Sequence, residues 1–358
     1  MQKLTSLADL TALDVDTIID VRSPAEYAED HVPGAINLPV LDNEERARVG
    51  TIYKQQSPFL ARKIGAALVF RNAAAHIETR LAVHEGGWQP LVYCWRGGQR
   101  SGAFAWMLRE IGWRADTIEG GYQSYRRLVV QALYDTPLQM PVIQLAGYTG
   151  TAKTDLLARV AHHGVQVLDL EGLARHRGSI LGDLADPQPS QKAFETALAA
   201  ELGQLDPARP VLVEAESSTI GDLTLPPSLW AAMKDAPVIS VDAPLEARAR
   251  YLSEVYTDVL EDRAGLKAKL HPLRRFRGHE LVDAWNRLID AGEMVALCRS
   301  LAADHYDPAY EKSNAPLLPR IARRIDAPDL GETALNGTAA RIAQAVQEIS
   351  STPARSVI

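Results

Sequence analysis

The sequence predicts two successive α/β domains, each built on a parallel sheet covered by helices. Three observations carry this expectation. The chain has 358 residues, enough for two domains of about 100–200 residues each. Short apolar runs rich in β-branched residues alternate with helical patterns, which is the βαβ rhythm of a parallel sheet. A proline-flanked stretch at 135–141 separates one such series from the next.

In the first series, residues 17–20, 35–38 and 90–93 read as strands by length and composition. The segments between 43 and 86 and from 101 to 111 read as helical. In the latter, Ser101 is placed to cap, Ala103, Phe104, Met107, Leu108 and Ile111 form an apolar face, and Gly112 supplies the stop. In the second series, residues 142–146, 165–169, 210–213 and 237–241 read as strands with helices between them. The region from about 246 to 300 carries Arg, Leu and Glu at helical spacing and predicts a helical elaboration. The expected division is a first domain over 1–135, a second over 136–330, and a C-terminal helix and tail over 331–358. The tail is polar beyond Ser350 and is expected to fray.

Composition excludes several classes. A hydrophobic share of 46% and a charged share of 23% rule out a collagen-like chain, a coiled coil and wholesale disorder. The net charge of −7 argues against a uniformly basic polyanion binder, yet leaves room for a local basic patch. Two cysteines, Cys94 and Cys298, are too few for a disulfide scaffold and too far apart for a Cys-x-x-Cys redox or zinc motif. No metal ligands are assigned from them, and a reducing compartment fits. The N-terminus has no signal-peptide pattern, and no apolar stretch approaches the roughly 20 residues of a spanning helix. A cytoplasmic protein with no membrane partner, possible as a monomer, is the expectation.

Cys94 opens Cys-Trp-Arg-Gly-Gly-Gln-Arg-Ser between a strand and a helix. There the backbone N–H groups of a glycine-containing loop converge with a helix N-terminus, which favours thiolate over thiol. The same donors, from Trp95, Arg96, Gly97, Gly98 and Gln99, suit an oxyanion, with Arg100 closing over it as a charged fork. The bland alternative is a buried structural cysteine at a strand end. The loop resembles that of the rhodanese family, and so do the upstream blocks Asp20-Val-Arg-Ser-Pro-Ala-Glu-Tyr27 and His31-Val-Pro-Gly-Ala-Ile-Asn37. It departs in having five residues between Cys94 and Arg100 where a sulfurtransferase has four. Five is also the spacing of cysteine phosphatases, against which stand Tyr93 in the place of the usual histidine and the lack of a clear general-acid aspartate.

The predicted strand 142–146 runs into Gly147-Tyr-Thr-Gly-Thr-Ala-Lys-Thr154 and then a helix. This is a phosphate loop in which Ala152 replaces the last glycine. Gly147, Gly150 and Thr151 would cradle phosphate, Lys153 would reach it as a point charge, and Thr154 could hold Mg²⁺. An ordinary Gly/Thr turn before a helix is the alternative. Glu214 and Glu216, at the end of the strand 210–213, stand where a metal-orienting acid belongs, or are surface carboxylates.

The fusion of these two parts resembles the tRNA 2-selenouridine synthase family, and the likeness extends to segments 46–54, 169–179, 189–195 and 214–221. The fold this implies is a rhodanese-like domain followed by a P-loop NTPase-like domain. The activity it implies is exchange of sulfur for selenium in the wobble 2-thiouridine of tRNA. Selenophosphate would be the donor, Cys94 the selenium carrier, and an S-geranyl-2-thiouridine made from geranyl diphosphate the intermediate. No tightly bound cofactor is implied. The phosphate loop would then hold the diphosphate of geranyl diphosphate. For tRNA contact the cluster of Lys267, Lys269, Arg274, Arg275 and Arg277 around Phe276 is the main candidate, since phosphates need cations and unpaired bases stack on aromatics. Arg126, Arg127, Arg175 and Arg177 are further candidates, and Cys298 reads as core. Two other classes remain open: a P-loop kinase or NTPase fused to a sulfurtransferase acting in RNA thiolation or on a small molecule, and a binding module whose first domain is regulatory.

Overall fold

The structure, a computed structural model, describes residues 1–351. Apart from Ser351, the polar tail expected beyond Ser350 lies outside the described residues. The chain forms two compact units: Met1–Pro137 together with Pro189–Gln204, and Leu138–Gln188 together with the residues from Leu205 onward.

In the first unit, strands β1 (Thr17–Asp20), β2 (Ile36–Asn37), β3 (Pro90–Tyr93) and β4 (Asp116–Thr117) pair in parallel in the order β2–β1–β3–β4. Every residue of the inner strand β3 is buried, as expected for a sheet covered on both faces. Helices α1 (Ala8–Ala12), α2 (Pro24–Glu29), α3 (Asn43–Gln55), α4 (Pro58–Thr79), α5 (Gln99–Ile111) and α6 (Gly121–Val130) surround it. The predicted helical stretch after residue 43 is two helices, because Asp42 caps α3 in a capping box and Ser57 caps α4 with Pro58 behind it. Helix α5 starts at Gln99 with Gly98 as its cap, so Ser101 is not the capping residue. Phe104 and Leu108 of its apolar face are fully buried, whereas Ile111 stays half-exposed. Gly112 ends it at φ +109. Strand β4 and helix α6 were not anticipated; two residues of strand leave no periodicity to read.

In the second unit, β5 (Val142–Ala146), β6 (Gln166–Leu168), β7 (Val211–Glu214), a short antiparallel hairpin of β8 (Thr219–Ile220) and β9 (Leu223–Thr224), β10 (Val238–Asp242) and β11 (Ile321–Asp326) follow in chain order. The main sheet is parallel throughout in the order β11–β10–β5–β7–β6. Edge strand β11 was also not anticipated; of its residues only Ile325 is buried, so its arginines hide the strand pattern. Helices α7 (Lys153–Ala161) and α8 (Leu170–Ala174) follow β5 and β6, and α10 (Pro227–Asp235) precedes β10. The elaboration expected over 246–300 is helical, comprising α11 (Leu245–Val255), α12 (Thr257–Glu261), α13 (Arg263–Leu270), α14 (Arg274–Arg277), α15 (His279–Ala291) and α16 (Met294–Leu301). Around Trp285 these form a core of their own that contains Cys298. Helix α17 (Asp307–Asn314) and the C-terminal helix α18 (Glu332–Ser351) complete the unit. Leu335, Ala339, Ile342 and Val346 of α18 recur at helical spacing and pack into the sheet's core.

Helix α9 (Gln191–Gln204), expected in the second domain, belongs to the first unit. Its polar residues find their partners there. Thr196 donates to Asp30 at 3.0 Å, Glu195 pairs with Arg126 and accepts from Tyr134, and Lys192 pairs with Glu29. A buried glutamate needs such partners, and they decide where the helix packs.

Candidate active site

Cys94 is the first residue after the buried strand β3 and is only 4% exposed. The residues Trp95 to Gly98 turn the chain into α5. Gly97 has φ +63, and a Cβ there would lie 2.6 Å from the Ile118 carbonyl, so only glycine fits. Gly121, at φ +61, is tighter still: a Cβ would lie 2.2 Å from the Cys94 carbonyl. The N–H groups of Tyr122 and Gln123 donate to the carbonyls of Cys94 and Trp95, and the Trp95 ring lies against Tyr122. These bonds turn the loop carbonyls away and hold the ring shape. Arg96, Gly98 and Gln99 are exposed at the mouth.

Ser101 is fully buried, and its hydroxyl donates to Cys94 Sγ at 3.2 Å. Burial pushes the thiol up, but this bond, the N–H groups of Ser101 and Gly98, and the Arg100 charge together hold it below the ordinary thiol value. Arg100 is engaged: it donates to Glu26 at 2.9 and 3.4 Å. Burial raises the Glu26 carboxyl, and Arg100, the Ser23 N–H and Arg46 together more than offset this and keep it low. Beneath the loop, Arg22 forms a buried bidentate pair with Asp20 and lies 4.0 Å from the centre of the Tyr122 ring. Neither Ser101 nor Glu26 has a site role from sequence; a serine seven positions after Cys94 and a glutamate 74 positions before Arg100 carry no local signature.

In the second unit, the loop between β5 and α7 has the strand–loop–helix form of a phosphate site. Gly147 donates its N–H to the Tyr310 hydroxyl at 2.7 Å, and Thr151 is buried, its hydroxyl bonded to the Tyr148 carbonyl. Gly150 has φ +86 and lies against Leu252 and the Arg248 carbonyl. Lys153 Nζ donates to the Gly147 carbonyl at 3.2 Å, so the lysine lies back over its own loop. Burial works against its charge, but Tyr310, Glu214, Glu171 and Glu216 hold it above the usual lysine range. Ala152 takes the left-handed conformation at φ 59, which costs a non-glycine residue about 1–2 kcal/mol. Its side chain is buried in the core cluster of the sheet. Arg248 clamps the loop from below through the Thr149 carbonyl and a bidentate pair with Asp307.

Glu214 is not a surface carboxylate: it is fully buried at the end of β7. Glu171, Glu214 and Glu216 bring carboxylate oxygens within 4.8 Å of one another. The Thr154 hydroxyl lies 3.0 Å from Glu171 and 2.7 Å from Glu214, and has one proton to give. Burial and the neighbouring Glu171 push Glu214 well above the usual carboxylate range and push Glu216 up to about 7. Glu214 Oε2 is buried with no hydrogen-bond partner. A buried, unpaired acceptor beside two more carboxylates and a hydroxyl is the donor set a hard divalent cation takes. The cavity at this loop measures about 870 Å³ and runs from Lys153 and Arg177 to apolar walls that include Trp230, Met233, Leu252 and Val255.

The cluster around Phe276 divides. Phe276 and Arg275 are exposed, whereas Arg274 pairs with Asp283 and Arg277 bonds to His305. Arg126 and Arg177 likewise have carboxylate partners, Glu195 and Asp258. Cys298 is buried, and burial alone pushes its thiol up to about 11. Among the described residues no helix is long and apolar enough to cross a membrane.

Comparison with known proteins agrees with both halves. Residues 4–128 match a rhodanese-like domain family, and residues 140–282 match a family described as the tRNA 2-selenouridine synthase AAA domain. Among curated relatives, the tRNA 2-selenouridine synthase of Nitrosomonas europaea is 35% identical over 85% of this chain and 82% of its own. Those of Hahella chejuensis and Shewanella halifaxensis are 34% and 32% identical, the chain covering 88% and 87% of their lengths. With both units matched and relatives aligned along most of their own length, the chain belongs to the tRNA 2-selenouridine synthase family.

Proposed function

We propose that the chain is a cytoplasmic selenotransferase that replaces the sulfur of wobble 2-thiouridine in tRNA by selenium, using selenophosphate and an S-geranylated intermediate made from geranyl diphosphate. The observation that carries this reading is Cys94, an acidified thiol held in a ring of backbone donors with Ser101 beneath it and Arg100 beside it. The ring holds the phosphoryl oxygens of selenophosphate while an S–Se bond forms at Cys94 and the Se–P bond breaks, its electron pair leaving with phosphorus as phosphite. The 870 Å³ cavity of the second unit suits geranyl diphosphate, with cations at the phosphate loop for the head and apolar walls for the tail. There the thiouridine sulfur forms a bond to C1 of the geranyl group as the bond from C1 to diphosphate oxygen breaks. The terminal selenium then forms a bond to C2 of the base as the bond from C2 to the S-geranyl sulfur breaks and geranylthiolate leaves, and an external dithiol reduces the remaining S–Se bond, freeing Cys94 and the 2-selenouridine.

Thr154, Glu171, Glu214 and Glu216 are the residues that would hold Mg²⁺. When bound, the ion neutralises charge on the diphosphate as it leaves. Lys153 supplies a second, permanent positive charge there.

Nucleoside mass spectrometry of tRNA incubated with the protein, selenophosphate and geranyl diphosphate tests the scheme. Cys94→Ser should abolish 2-selenouridine while S-geranyl-2-thiouridine still accumulates; 2-selenouridine from this variant would refute the carrier role. Unchanged geranyl diphosphate affinity in Lys153→Ala would remove the phosphate loop from the scheme. ATP turnover without tRNA would instead favour the kinase or NTPase reading.

A further inference from the structure

A second cavity, of about 530 Å³, opens in the first unit between α3, α4 and the start of α5. Val49, Tyr53, Val69 and Phe70 line it, and Arg46 and Arg62 stand at its edges. Gln99 and Arg100, the first residues of α5 just beyond the Cys94 loop, form part of its wall. Tyr53 is 55% exposed and Phe70 41%, and the ring of Phe70 meets that of exposed Trp106 edge-on. Large aromatics left this open in a cleft that Gln99 and Arg100 also line are not explained by packing.

Charge points to what covers them. Over residues 43–72 the cations Arg46, Arg48, Lys54, Arg62, Lys63 and Arg71 all reach solvent, against only Glu44 and Glu45, in a chain whose net charge is −7. Arg71 is spent on Glu45 and Arg46 faces Glu26. Arg48, Lys54, Arg62 and Lys63 form no ion pair with a carboxylate among the described residues. Of these, Arg62 lines the cleft itself and the other three stand on the same two helices. Open aromatic faces beside unpaired cations are a surface that an unpaired nucleotide takes: the ring stacks the base and the cations hold the flanking phosphates.

From this we infer that the α3–α4 cleft is the tRNA-docking site of the first unit, and that it stacks an unpaired anticodon-loop base beside the wobble nucleoside. Tyr53 and Phe70 grip that base, while Arg48, Lys54, Arg62 and Lys63 hold its phosphates. The wall shared with Gln99 and Arg100 directs the next nucleotide toward Cys94. This rests on tRNA being the substrate, and it adds a recognition surface distinct from the cluster around Phe276.

The test is binding of a 2-thiouridine-containing tRNA to the full chain, measured across a salt series. An Arg62→Glu/Lys63→Glu variant should lose at least tenfold in affinity. Its slope of log K against log salt should shrink by about 1.4, the value for two single-strand phosphate contacts at roughly 0.7 each. Tyr53→Ala should lose about five- to a hundredfold with the slope unchanged, as removal of a stacking platform does, and Tyr53→Trp should restore binding. Alkylation of Cys94 at its wild-type rate in all three variants shows that the loop is intact. Wild-type affinity and slope in both the charge-reversed and Tyr53→Ala variants would overturn the inference. So would loss of self-association in light scattering with tRNA affinity intact, which would give the face to a second copy of the chain. A wild-type chain that binds no tRNA at all would fail the proposed function first, and is recognisable as that result.

Discussion

Gly121→Ala should displace the Cys94 loop, and Gly112→Ala is the control that isolates why. Both glycines sit at positive φ, +61 and +109, so alanine at either costs about 1–2 kcal/mol for the left-handed backbone. They differ in surroundings. A Cβ on Gly112 meets nothing within 4 Å, whereas one on Gly121 falls 2.2 Å from the Cys94 carbonyl and 2.4 Å from the Gly97 N–H nitrogen. Backbone on both sides cannot yield as a flexible side chain does, so the overpacking penalty of about 1–3 kcal/mol applies to Gly121 alone. For a unit of this size, at about 2–4 °C per kcal/mol, the excess of roughly 2 kcal/mol is a further fall of about 4–8 °C in the unfolding midpoint. The loop that carries Cys94 must move to relieve the clash, which disturbs the Ser101 hydrogen bond and slows thiol alkylation at neutral pH. The assay is thermal unfolding by tryptophan fluorescence, with iodoacetamide kinetics alongside. Equal midpoint losses in the two variants, or an unchanged alkylation rate in Gly121→Ala, would refute the steric reasoning.

Two further predictions concern protons. Ser101→Ala removes a donor that favours the thiolate, so the pH profile of Cys94 alkylation should move to higher pH; Cys298, with its thiol pushed up to about 11, contributes nothing near neutrality. A profile that stays in place would show that the hydroxyl has no part in acidifying the thiol. Glu216, pushed by burial and Glu171 from 4.5 up to about 7, holds a proton in the folded chain that the unfolded chain releases above about 4.5. Its contribution to stability is therefore complete below about 4.5 and is lost as pH rises through about 7. The unfolding midpoint should fall between pH 5 and pH 8, Glu216→Gln should reduce that fall, and Mg²⁺ should raise the midpoint at pH 8. A fall of the same size in Glu216→Gln would exclude this carboxyl as its source.

The two hallmark loops were legible because each is a local pattern. Cys94 to Arg100 and Gly147 to Thr154 each need a strand before and a helix after, and both contexts show as short apolar runs beside a periodic one. Strand β5 was predicted to the residue for the same reason, since all five positions are buried and apolar or bonded. Strand β11 escaped because it is an edge with Arg323 and Arg324 exposed, and β4 because it is two residues long. The role of Ser101 was misread for a different reason. It stands first in the expected helix 101–111, where a serine caps, but the helix begins two residues earlier at Gln99 and the Ser101 hydroxyl turns inward to sulfur.

By itself, then, the sequence determined the two α/β units, the place of both loops and the family, all of which depend on residues close together in the chain. The tertiary structure alone decided which groups act on those loops from afar. Glu26 reaches Arg100 across 74 positions, and Glu214 reaches Thr154 across 60. Helix α9 leaves the surrounding sequence of the second unit to join the first. It also decided that Glu214 is buried and that Arg46 and Arg62 line one cleft with Tyr53, Phe70 and Arg100. Charge, burial and hydrogen bonding depend on distance in space, and the chain brings those groups together only once it has folded.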